Sequence, residues 1–424
     1  MGRGKVSYRV KDIRLAPQGK RMMDWAERHM PVLNEIRREL SKTKPLRGVT
    51  VGAALHTEAK TGVLVRTLVA GGAEVAITSC NPLSTRDEVA AALAKEGVHV
   101  YAWRGESTKD YYSNLNAVLD KQPRILIDDG ADLITAVHTN RRELLDRVIG
   151  ASEETTTGVN RLRAMAEEGA LRFPVIAVND SPSKRFFDNR FGTAESTFQA
   201  ITAMTNTLIA GKRLVVVGYG FVGRGIASRA KGLGAVVMVV ETDPIRALEA
   251  AMDGFEVISM SEAARRGELF ITTTGSLKVI RAEHMRLMRD GAILCNSGHF
   301  NVEIDLEGLN KMAVSRKEIL KDVQEFRLKN GRRIYLLAEG RLVNLAGERS
   351  LGHPMEIMDM SFALQALSVV HLTQVGRGLA PKVYEVPPEI DRRVAELKLR
   401  SMRIKLESQT KEQIEYGKSW MLGT

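Results

Sequence analysis

The chain has 424 residues, with 44% hydrophobic and 27% charged side chains, which is typical of a soluble globular enzyme of two or more domains. No apolar run reaches the ~18 residues of a membrane span, and the opening MGRGKVSYRVKDIRL lacks the apolar centre of a signal peptide. We therefore expect a cytoplasmic protein with no membrane partner. The net charge is +11, but Lys and Arg alternate with acids along the whole chain, which favours a solvated basic surface over nucleic-acid binding.

The segment LHTEAKT, residues 55–61, raises the first functional question. The apolar run 49–55 predicts a buried parallel strand, and the following segment predicts a helix with Thr57 as N-cap. Lys60 then falls at the third helical position, where a cation opposes the helix dipole at a cost of roughly 0.3–1 kcal/mol. Lys60, with Glu58 beside it, therefore calls for a functional explanation.

The first half of the chain continues with the same alternation. Strand-like VTVGAAL, AEVAITSC, VHVYAW and RILIDD are separated by amphipathic TRDEVAAALAKEG, STKDYYSNLNAVLDK and TNRRELLDRVI. This pattern predicts a parallel sheet with helices on both faces. Cys80 and Cys295 each end an apolar run far apart in sequence, which favours reduced buried thiols over a disulfide or a metal site.

Two polar regions, 151–160 and 179–193, show little strand character, and the alternation restarts after residue 212 with RLVVV, AVVMVVE, FEVIS, LFITTTG and AILCNSG. The predicted fold is α/β, with two doubly wound parallel-sheet (Rossmann-like) domains and a short helical C-terminal tail. We expect that tail to be either a solvated helix or an oligomer contact.

The second unit opens with a dinucleotide-binding fingerprint. Strand RLVVV runs into a loop that contains, in order, Gly218, Gly220, Phe221, Val222 and Gly223. Glu241 ends the next strand about 20 residues later, which completes the fingerprint. An acid at this place accepts hydrogen bonds from ribose hydroxyls and repels a 2′-phosphate, so the sequence favours NAD over NADP. Arg246, a few residues later, is the feature that argues for NADP instead.

Several longer motifs carry a family resemblance. Upstream of the glycine loop lie SEETTTG and a K-x-x-x-D-N pattern made by Lys184, Asp188 and Asn189. Together with HTEAKT, SCNPLST, DDGAD, GYGFVG, CNSGHF, RLKNGRRIYLLAEGRLVNLA and GHP, the sequence resembles the adenosylhomocysteinase family from about residue 30 to the tail. The resemblance implies two domains that close over a tightly held NAD in a homo-tetramer. We assign residues 1–188, completed by 352–384, to substrate binding, 189–351 to NAD binding, and 385–424 to the tail and an oligomer contact.

The resemblance also implies roles for individual residues. The implied catalytic residues are His56, Asp132, Lys184, Asp188 and His299. The implied substrate contacts are Glu58, Lys60, Glu154, Asn189 and His353. In addition to the glycine loop, Glu241 and Arg246, the implied NAD contacts are Thr155, Thr156, Thr157, Thr274 and Asn344. Lys184 is the expected base for the ribose 3-hydroxyl if its neighbours lower its pKa. His56 and Asp132 are the expected proton-transfer groups at sugar position 4 and at the leaving or attacking atom. His299 is expected near the nicotinamide and ribose, and His353 at the purine side and domain gate.

Each motif has a plainer interpretation. The threonines 155–157 suit an ordinary helix cap, Asp188 with Asn189 suits a turn, and His56 suits a satisfied histidine at a strand end. Two other functions stay open: a catalytically silent NAD-binding regulator, which retention of the catalytic set disfavours, and a 2-hydroxyacid-type dehydrogenase, which would release NADH.

Apart from Glu58 and Lys60, the chain departs from the family pattern at four places. Thr193 stands where a cysteine is usual, Phe221 where an acid is usual, and Arg246 where an asparagine is usual. The chain ends in SWMLGT, without the lysine and tyrosine that reach a neighbour's NAD. A tetramer is still expected, but with weaker NAD retention than in relatives that carry those two residues.

The departure at Glu58 and Lys60 answers the opening question. The common pattern has threonine and glutamate there, which suit the amino donor and ring-nitrogen acceptor of adenine. Lys60 donates to the carbonyl of hypoxanthine and Glu58 accepts from its ring N–H, so S-inosyl-L-homocysteine is the favoured substrate over S-adenosyl-L-homocysteine. The alternative is a structural ion pair, with adenine bound through backbone groups.

Overall fold

The structure is a computed structural model and describes residues 6–421. The first sheet takes its first seven strands from β1 Tyr8–Arg9, β2 Thr50–Ala54, β3 Glu74–Thr78, β4 His99–Tyr101, β5 Ile125–Asp128, β6 Gly150–Glu153 and β7 Val175–Ala177. The helices between them are α1 Ala16–Arg28, α2 Pro31–Thr43, α3 Ala59–Ala70, α4 Asp87–Lys95, α5 Thr108–Leu119, α6 Asp132–Thr139 and α7 Thr156–Glu167, with 3-10 turns at Ile13–Leu15 and Arg142–Leu144. The strands are parallel.

A helical connection leads to the second sheet. It consists of a 3-10 turn at Val178–Asp180, α8 Pro182–Lys184, a π-helix at Arg185–Gly192 and α9 Thr193–Thr205. The second sheet contains β8 Arg213–Val217, β9 Val236–Val240, β10 Glu256–Val257, β11 Leu269–Thr272, β12 Ala292–Asn296, β13 Ala313–Leu320, β14 Val323–Leu328 and β15 Arg333–Leu337. Its helices are α10 Phe221–Gly232, α11 Pro244–Met252, α12 Met260–Arg266, α13 Ala282–Leu287, α14 Leu306–Met312 and α15 Val343–Ala346, with a 3-10 turn at Ala338–Gly340.

The C-terminal part returns to the first sheet. It contains α16 Met355–Val375, a 3-10 turn at Gly376–Gly378, β16 Val383–Glu385, α17 Pro388–Ser401 and α18 Lys411–Lys418. Strand β16 pairs in parallel with β7, so the first sheet has eight strands. No helix within residues 6–421 is long and apolar enough to cross a membrane.

Both sheets have the strand order of a doubly wound fold. The first runs β4-β3-β2-β5-β6-β7 and the second β10-β9-β8-β11-β12-β15, with β14 and β13 added antiparallel at the edge. The order reverses between β2 and β5 and between β8 and β11, and ligands bind outside the carboxyl ends of strands at such points. The predicted fold class is confirmed, and Cys80 and Cys295 are buried free thiols as predicted.

The predicted helix start at Thr57 is wrong. Glu58 is the N-cap of α3, and its carboxylate accepts from the backbone N–H groups of Lys60 and Thr61 at 3.2 and 3.3 Å. Lys60 is therefore the second helical residue. A carboxylate at the N-cap satisfies the helix dipole and offsets the unfavourable cation beside it.

The expectation that 151–160 has little strand character is wrong for its first part. Residues 150–153 form the central strand β6, whose polar Ser152 donates to Gln365 of α16 at 2.6 Å. Hydrophobic periodicity misses such a strand because a partner from a distant helix satisfies its polar group. The segment TNRRELLDRVI is also not a helix beyond one 3-10 turn, since the helix of that unit is α6, which starts earlier.

The tail is only partly exposed. Helix α17 buries Val394 and Leu397, and Lys398 reaches the fully buried Asp359 of α16 at 3.1 Å. The chain from Met402 to Met421 is exposed almost throughout and presents apolar side chains, among them Leu406 and Trp420, at 68% and 92% exposure. A solvated helix therefore describes α18, whereas α17 is part of the folded body.

Candidate functional site

A cavity of about 1020 Å³ lies between the carboxyl ends of the two sheets. Residues of both units line it, and α16 closes it with Met358 and Phe362. The predicted site residues that line it are His56, Glu58, Lys60, Glu154, Thr155, Thr156, Thr157, Lys184, Asp188, Asn189, Gly218, Gly220, Phe221, Val222, Glu241, Arg246, Thr274, His299, Asn344 and His353. Of the predicted set, Asp132 and Gly223 are not part of the lining.

The glycine loop is built for close approach of a ligand. Gly218 has a φ of +101°, a conformation that suits glycine, and a Cβ on Gly223 would lie 2.0 Å from the Gly218 carbonyl oxygen. A Cβ on Gly220 would meet nothing closer than Arg246 Nη1 at 3.9 Å, which leaves the start of α10 open. A helix N-terminus that opens into a cavity in this way is suited to a pyrophosphate.

Glu241 is held as a carboxylate at the end of β9. It accepts from the backbone N–H groups of Tyr219 and Thr242, both at 2.6 Å, and of Asp243 at 3.0 Å. Burial opposes the charge, but these hydrogen bonds outweigh it and lower the pKa of Glu241. The ionised group suits ribose hydroxyls and repels a phosphate.

Two further polar residues, Asn344 and Thr155, line the cavity. The Asn344 side chain donates to Ser196 Oγ at 3.0 Å, while its Oδ1 is buried and finds no hydrogen-bond partner among the described residues. Thr155 occupies the N-cap position of α7, yet its side chain makes no capping bond. The interpretation of this hydroxyl as an ordinary helix cap is therefore wrong, and both groups are suited to a ligand.

Lys184 lies at the centre of a buried polar cluster. Its Nζ donates to Asn189 Oδ1 at 2.7 Å and lies 3.4 Å from Asp188 Oδ1 and 3.7 Å from Glu154 Oε1. Burial opposes the ammonium, but Asp188 and then Glu154 outweigh it and raise the pKa of Lys184. The condition set for Lys184 as a base, that its neighbours lower this pKa, is therefore not met. Burial raises the pKa of Glu154 to about 8 against the pull of Lys184.

Asp188 is fixed from three sides. Besides Lys184, Ser361 of α16 donates to its Oδ2 at 2.7 Å, and His353 Nδ1 lies 2.9 Å from its Oδ1. Although burial raises the pKa of this carboxyl, Lys184 and His353 outweigh burial and hold it well below its usual range. The π-helix brings Asp188 and Asn189 toward Lys184, so the K-x-x-x-D-N pattern is not a turn. His353 therefore contacts the lysine–aspartate cluster rather than only the purine side.

A second cluster faces the first across the cavity. His56 Nε2 lies 3.4 Å from Asp129 Oδ2, and His299 Nδ1 lies 3.4 Å from Asp129 Oδ1. The other ring nitrogen of His56, Nδ1, is 2.7 Å from Ser84 Oγ. Burial lowers the pKa of His56 to about 4 despite the Asp129 carboxylate, so the ring is neutral at neutral pH. Both ring nitrogens of His56 thus have partners, which fits a satisfied histidine at a strand end as well as a proton-transfer group.

The structure brings Asp129, not Asp132, between the histidines. Asp132 starts α6 and is not part of the cavity lining; Arg161, which does line the cavity, lies 2.7 Å from its Oδ1, and Tyr111 donates to its Oδ2 at 2.9 Å. Asp129 directly follows β5, at the carboxyl edge of the sheet where functional groups collect. Of the acids in DDGAD, Asp129 and not the predicted Asp132 lines the cavity, and its place at the end of the strand was the available signal.

Comparison with known proteins identifies the family. Residues 7–146 match the model described as S-adenosyl-L-homocysteine hydrolase, and residues 189–350 match its NAD binding domain. The chain is 59% identical to the S-inosyl-L-homocysteine hydrolase of Methanopyrus kandleri, over 98% of each chain. It is 57% identical to the adenosylhomocysteinase of Sulfurisphaera tokodaii, over 99% of this chain and 100% of that one. The chain belongs to the S-adenosyl-L-homocysteine hydrolase family. Its cofactor is NAD.

The similarity does not separate the two names within the S-adenosyl-L-homocysteine hydrolase family. The adenosylhomocysteinase of Pyrococcus abyssi is 58% identical over 98% of each chain, only one percentage point below the Methanopyrus protein. The purine must therefore be argued from the residues that line the cavity of this chain.

Glu58 and Lys60 form a buried ion pair in the cavity wall. Lys60 Nζ lies 2.8 Å from Glu58 Oε2 and donates to the backbone carbonyl of Leu351 at 2.7 Å. The structural ion pair, which the sequence left open as the alternative to purine recognition, is therefore present. An ammonium has three N–H donors and a carboxylate about four acceptor sites, so each group keeps capacity for a ligand.

Sequence reasoning missed the groups that orient the catalytic side chains. Asn179 Oδ1 accepts from Asn189 Nδ2 at 2.9 Å, Ser361 fixes Asp188, and Gln365 donates to Glu154 at 2.6 Å. Two of these residues come from α16, which is far away in sequence and whose pattern predicts only an apolar helix. No local pattern pointed to them.

Proposed function

We propose that this chain catalyses the NAD-dependent, reversible hydrolysis of S-inosyl- or S-adenosyl-L-homocysteine to the nucleoside and L-homocysteine. The observation that carries the proposal is the pairing of two proton-transfer clusters in one cavity with a dinucleotide site. A plain dehydrogenase needs one such cluster. Elimination and water addition need a second one, because each requires both an acid and a base.

The proposed reaction explains why a net hydrolysis needs a redox cofactor. Bound NAD supplies a hydride acceptor for ribose C3′ and later returns the hydride. Loss of the hydroxyl proton and the C3′ hydride leaves a 3′-ketone, which acidifies the C4′ proton. Removal of that proton breaks the C5′–S bond and expels homocysteine. Water then adds across the C4′=C5′ bond, and reduction restores the 3′-hydroxyl.

We assign the 3′-hydroxyl proton to Lys184 with Asp188, and the ribose to Glu154 and Asn189. The contacts of Lys184 with all three groups support this assignment. Because Asp188 raises the pKa of Lys184, the amine becomes a base only as this ion pair weakens, which couples the first step to pH.

We assign proton transfer at C4′ and C5′ to the opposite cluster, His56 with Asp129 and His299. A neutral His56 is ready to accept a proton, and Asp129 is placed to stabilise the imidazolium that results. We give no catalytic role to Asp132, which is not part of the cavity lining and whose carboxylate is engaged by Arg161.

We further propose that inosine is the preferred nucleoside. Lys60 has a free N–H for the 6-carbonyl of hypoxanthine, and Glu58 has a free lone pair for the ring N–H. The wrong purine leaves buried polar groups unpaired at about 1–3 kcal/mol each. This preference is supported by the burial of both side chains in the cavity wall.

Thiol release from S-inosyl- and S-adenosyl-L-homocysteine, measured side by side with NAD added, tests both the hydrolase activity and the preference for inosine. The wild type is expected to favour the inosine compound, and a Glu58→Thr/Lys60→Glu variant the adenosine compound. Asp132→Asn is the matched control that leaves the preference unchanged. Equal use of both compounds refutes the purine assignment. No thiol from either, or net NADH in its place, refutes the hydrolase and favours the silent regulator or the dehydrogenase.

We also propose a cytoplasmic homo-tetramer. In this proposal residues 1–188 with 352–384 bind substrate, 189–351 bind NAD, and 385–424 carry a subunit contact. The exposed apolar side chains between Met402 and Met421 support a contact in that segment. Light scattering of the intact protein and of a chain ending at residue 401 measures whether this segment holds the subunits together.

A further inference from the structure

Lys60 contacts a loop, and its proposed role in purine binding does not explain this contact. The loop 347–354 joins α15 to α16 and carries His353. Lys60 Nζ donates to the Leu351 carbonyl at 2.7 Å, and a Cβ on the next residue, Gly352, would lie 3.2 Å from the same Nζ. The ammonium is therefore packed against the loop backbone itself.

The same loop reaches the lysine–aspartate cluster. Gly352 adopts a φ of +69° and donates its N–H to the Asn344 carbonyl at 2.9 Å. His353 follows, with its Nδ1 2.9 Å from Asp188 and its Nε2 3.2 Å from Thr193 Oγ1. Only Gly352 thus separates the residue whose carbonyl Lys60 holds from the residue whose ring contacts Asp188.

Other side chains hold the first part of the loop. Arg86 donates to the carbonyls of Glu348, at 2.6 Å, and of Ser350. Leu351 is 65% exposed, and its backbone has two side-chain partners: Lys60 donates to the carbonyl at 2.7 Å, and Gln199 Oε1 accepts the N–H at 3.4 Å. A glutamate at position 60 would have no N–H to donate and would repel this carbonyl.

We propose that Lys60 is a positioning residue for the 3′-oxidation step: it seats Leu351 and thereby places His353 on Asp188. Its three N–H groups serve the loop, Glu58 and the ligand at once, so purine binding and the placement of Asp188 share one ammonium. This inference rests on the proposed function and predicts an effect on kcat that does not depend on the purine 6-substituent.

The test compares Lys60→Gln with Lys60→Met in the NAD-loaded enzyme. Both variants remove the charge and leave Glu58 alike, but only Gln keeps an N–H for the Leu351 carbonyl. The substrate is the homocysteine thioether of unsubstituted purine riboside, which offers Lys60 no 6-substituent to read. We expect Lys60→Met to lower kcat by about tenfold or more with little change in KM, and Lys60→Gln to retain most of kcat.

Wild-type kcat in Lys60→Met on this substrate, or equal losses in both variants, overturns the inference. If the unpaired Glu58 in Lys60→Met prevents folding, the Glu58→Gln/Lys60→Met double variant replaces that single variant, because it removes both charges of the buried pair. We expect the double variant to show the same loss of kcat. In a His353→Asn background the Lys60→Met loss should shrink, because both changes break one chain of contacts.

Amide hydrogen exchange separates this inference from the proposed function. Peptides that cover residues 345–353 of the NAD-loaded protein should exchange about tenfold faster in Lys60→Met than in wild type or Lys60→Gln. This result does not require turnover. Absence of thiol release refutes the proposed function alone, whereas unchanged exchange in Lys60→Met refutes the positioning role.

Discussion

Gly223 in the glycine loop allows a direct test of how the cofactor site is built. In Gly223→Ala the new Cβ would lie 2.0 Å from the Gly218 carbonyl oxygen and 3.1 Å from Thr273 Oγ1. Real Cβ atoms do not approach closer than 3.0 Å, so the start of α10 must move by at least 1.0 Å, the difference between 3.0 and 2.0 Å. Forcing such a shift in a packed region costs about 1–3 kcal/mol of folding free energy.

The same shift acts on NAD affinity. Moving the helix N-terminus by this distance takes its N–H groups out of hydrogen-bond range of a pyrophosphate. A hydrogen bond to a charged group contributes about 1.5–3 kcal/mol, so Kd for NAD should rise by about tenfold or more for each bond lost. Titration calorimetry with NAD and denaturant unfolding of the NAD-free protein measure the two effects.

Gly232, at the other end of α10, is the matched control. A Cβ there meets nothing within 4 Å, so Gly232→Ala should leave Kd unchanged and stabilise the protein slightly, by about 0.4–1 kcal/mol. Wild-type NAD affinity and stability in Gly223→Ala would refute the reasoning, since the backbone would then have absorbed the contact without moving the site.

Four other substitutions test the catalytic clusters. Asp129→Asn should reduce thiol release severely and Asp132→Asn should retain most of it; the reverse order in steady-state assays would return the catalytic role to Asp132. Asp188→Asn removes the charge that raises the pKa of Lys184, so the rise of nucleoside-dependent NADH formation with pH should move to lower pH, and a shift to higher pH would contradict the ion-pair account. Glu154 has a pKa of about 8 in the folded chain against an ordinary 4.5, so the unfolded chain binds fewer protons between these values and stability falls as pH rises. Glu154→Gln should remove that fall in denaturant unfolding at pH 5 and pH 8, and identical pH slopes would contradict it.

The family and the cofactor were predictable from sequence because both depend on short, local patterns. Gly218 and Gly220 lie between β8 and α10, Gly223 lies in the first turn of α10, and Glu241 directly follows β9, so spacing alone predicted the dinucleotide site. The alternation of apolar strands and amphipathic helices likewise predicted both sheets, since buried parallel strands need apolar runs. Strand β6 was not predictable from that alternation because Gln365 satisfies its polar Ser152 across the fold.

What the sequence by itself determined is the set of chemical groups and the strand ends that carry them; what tertiary structure alone decided is which of these groups meet. Asp129 and Asp132 are both acids of one motif, and only the turn of the chain after β5 brings the first between His56 and His299 while α6 carries the second to Arg161. The pKa of Lys184 was also out of reach of sequence, because its sign depends on whether burial or the distance to Asp188 dominates. Charge interactions depend on separation and on exclusion of water, and the packed chain fixes both.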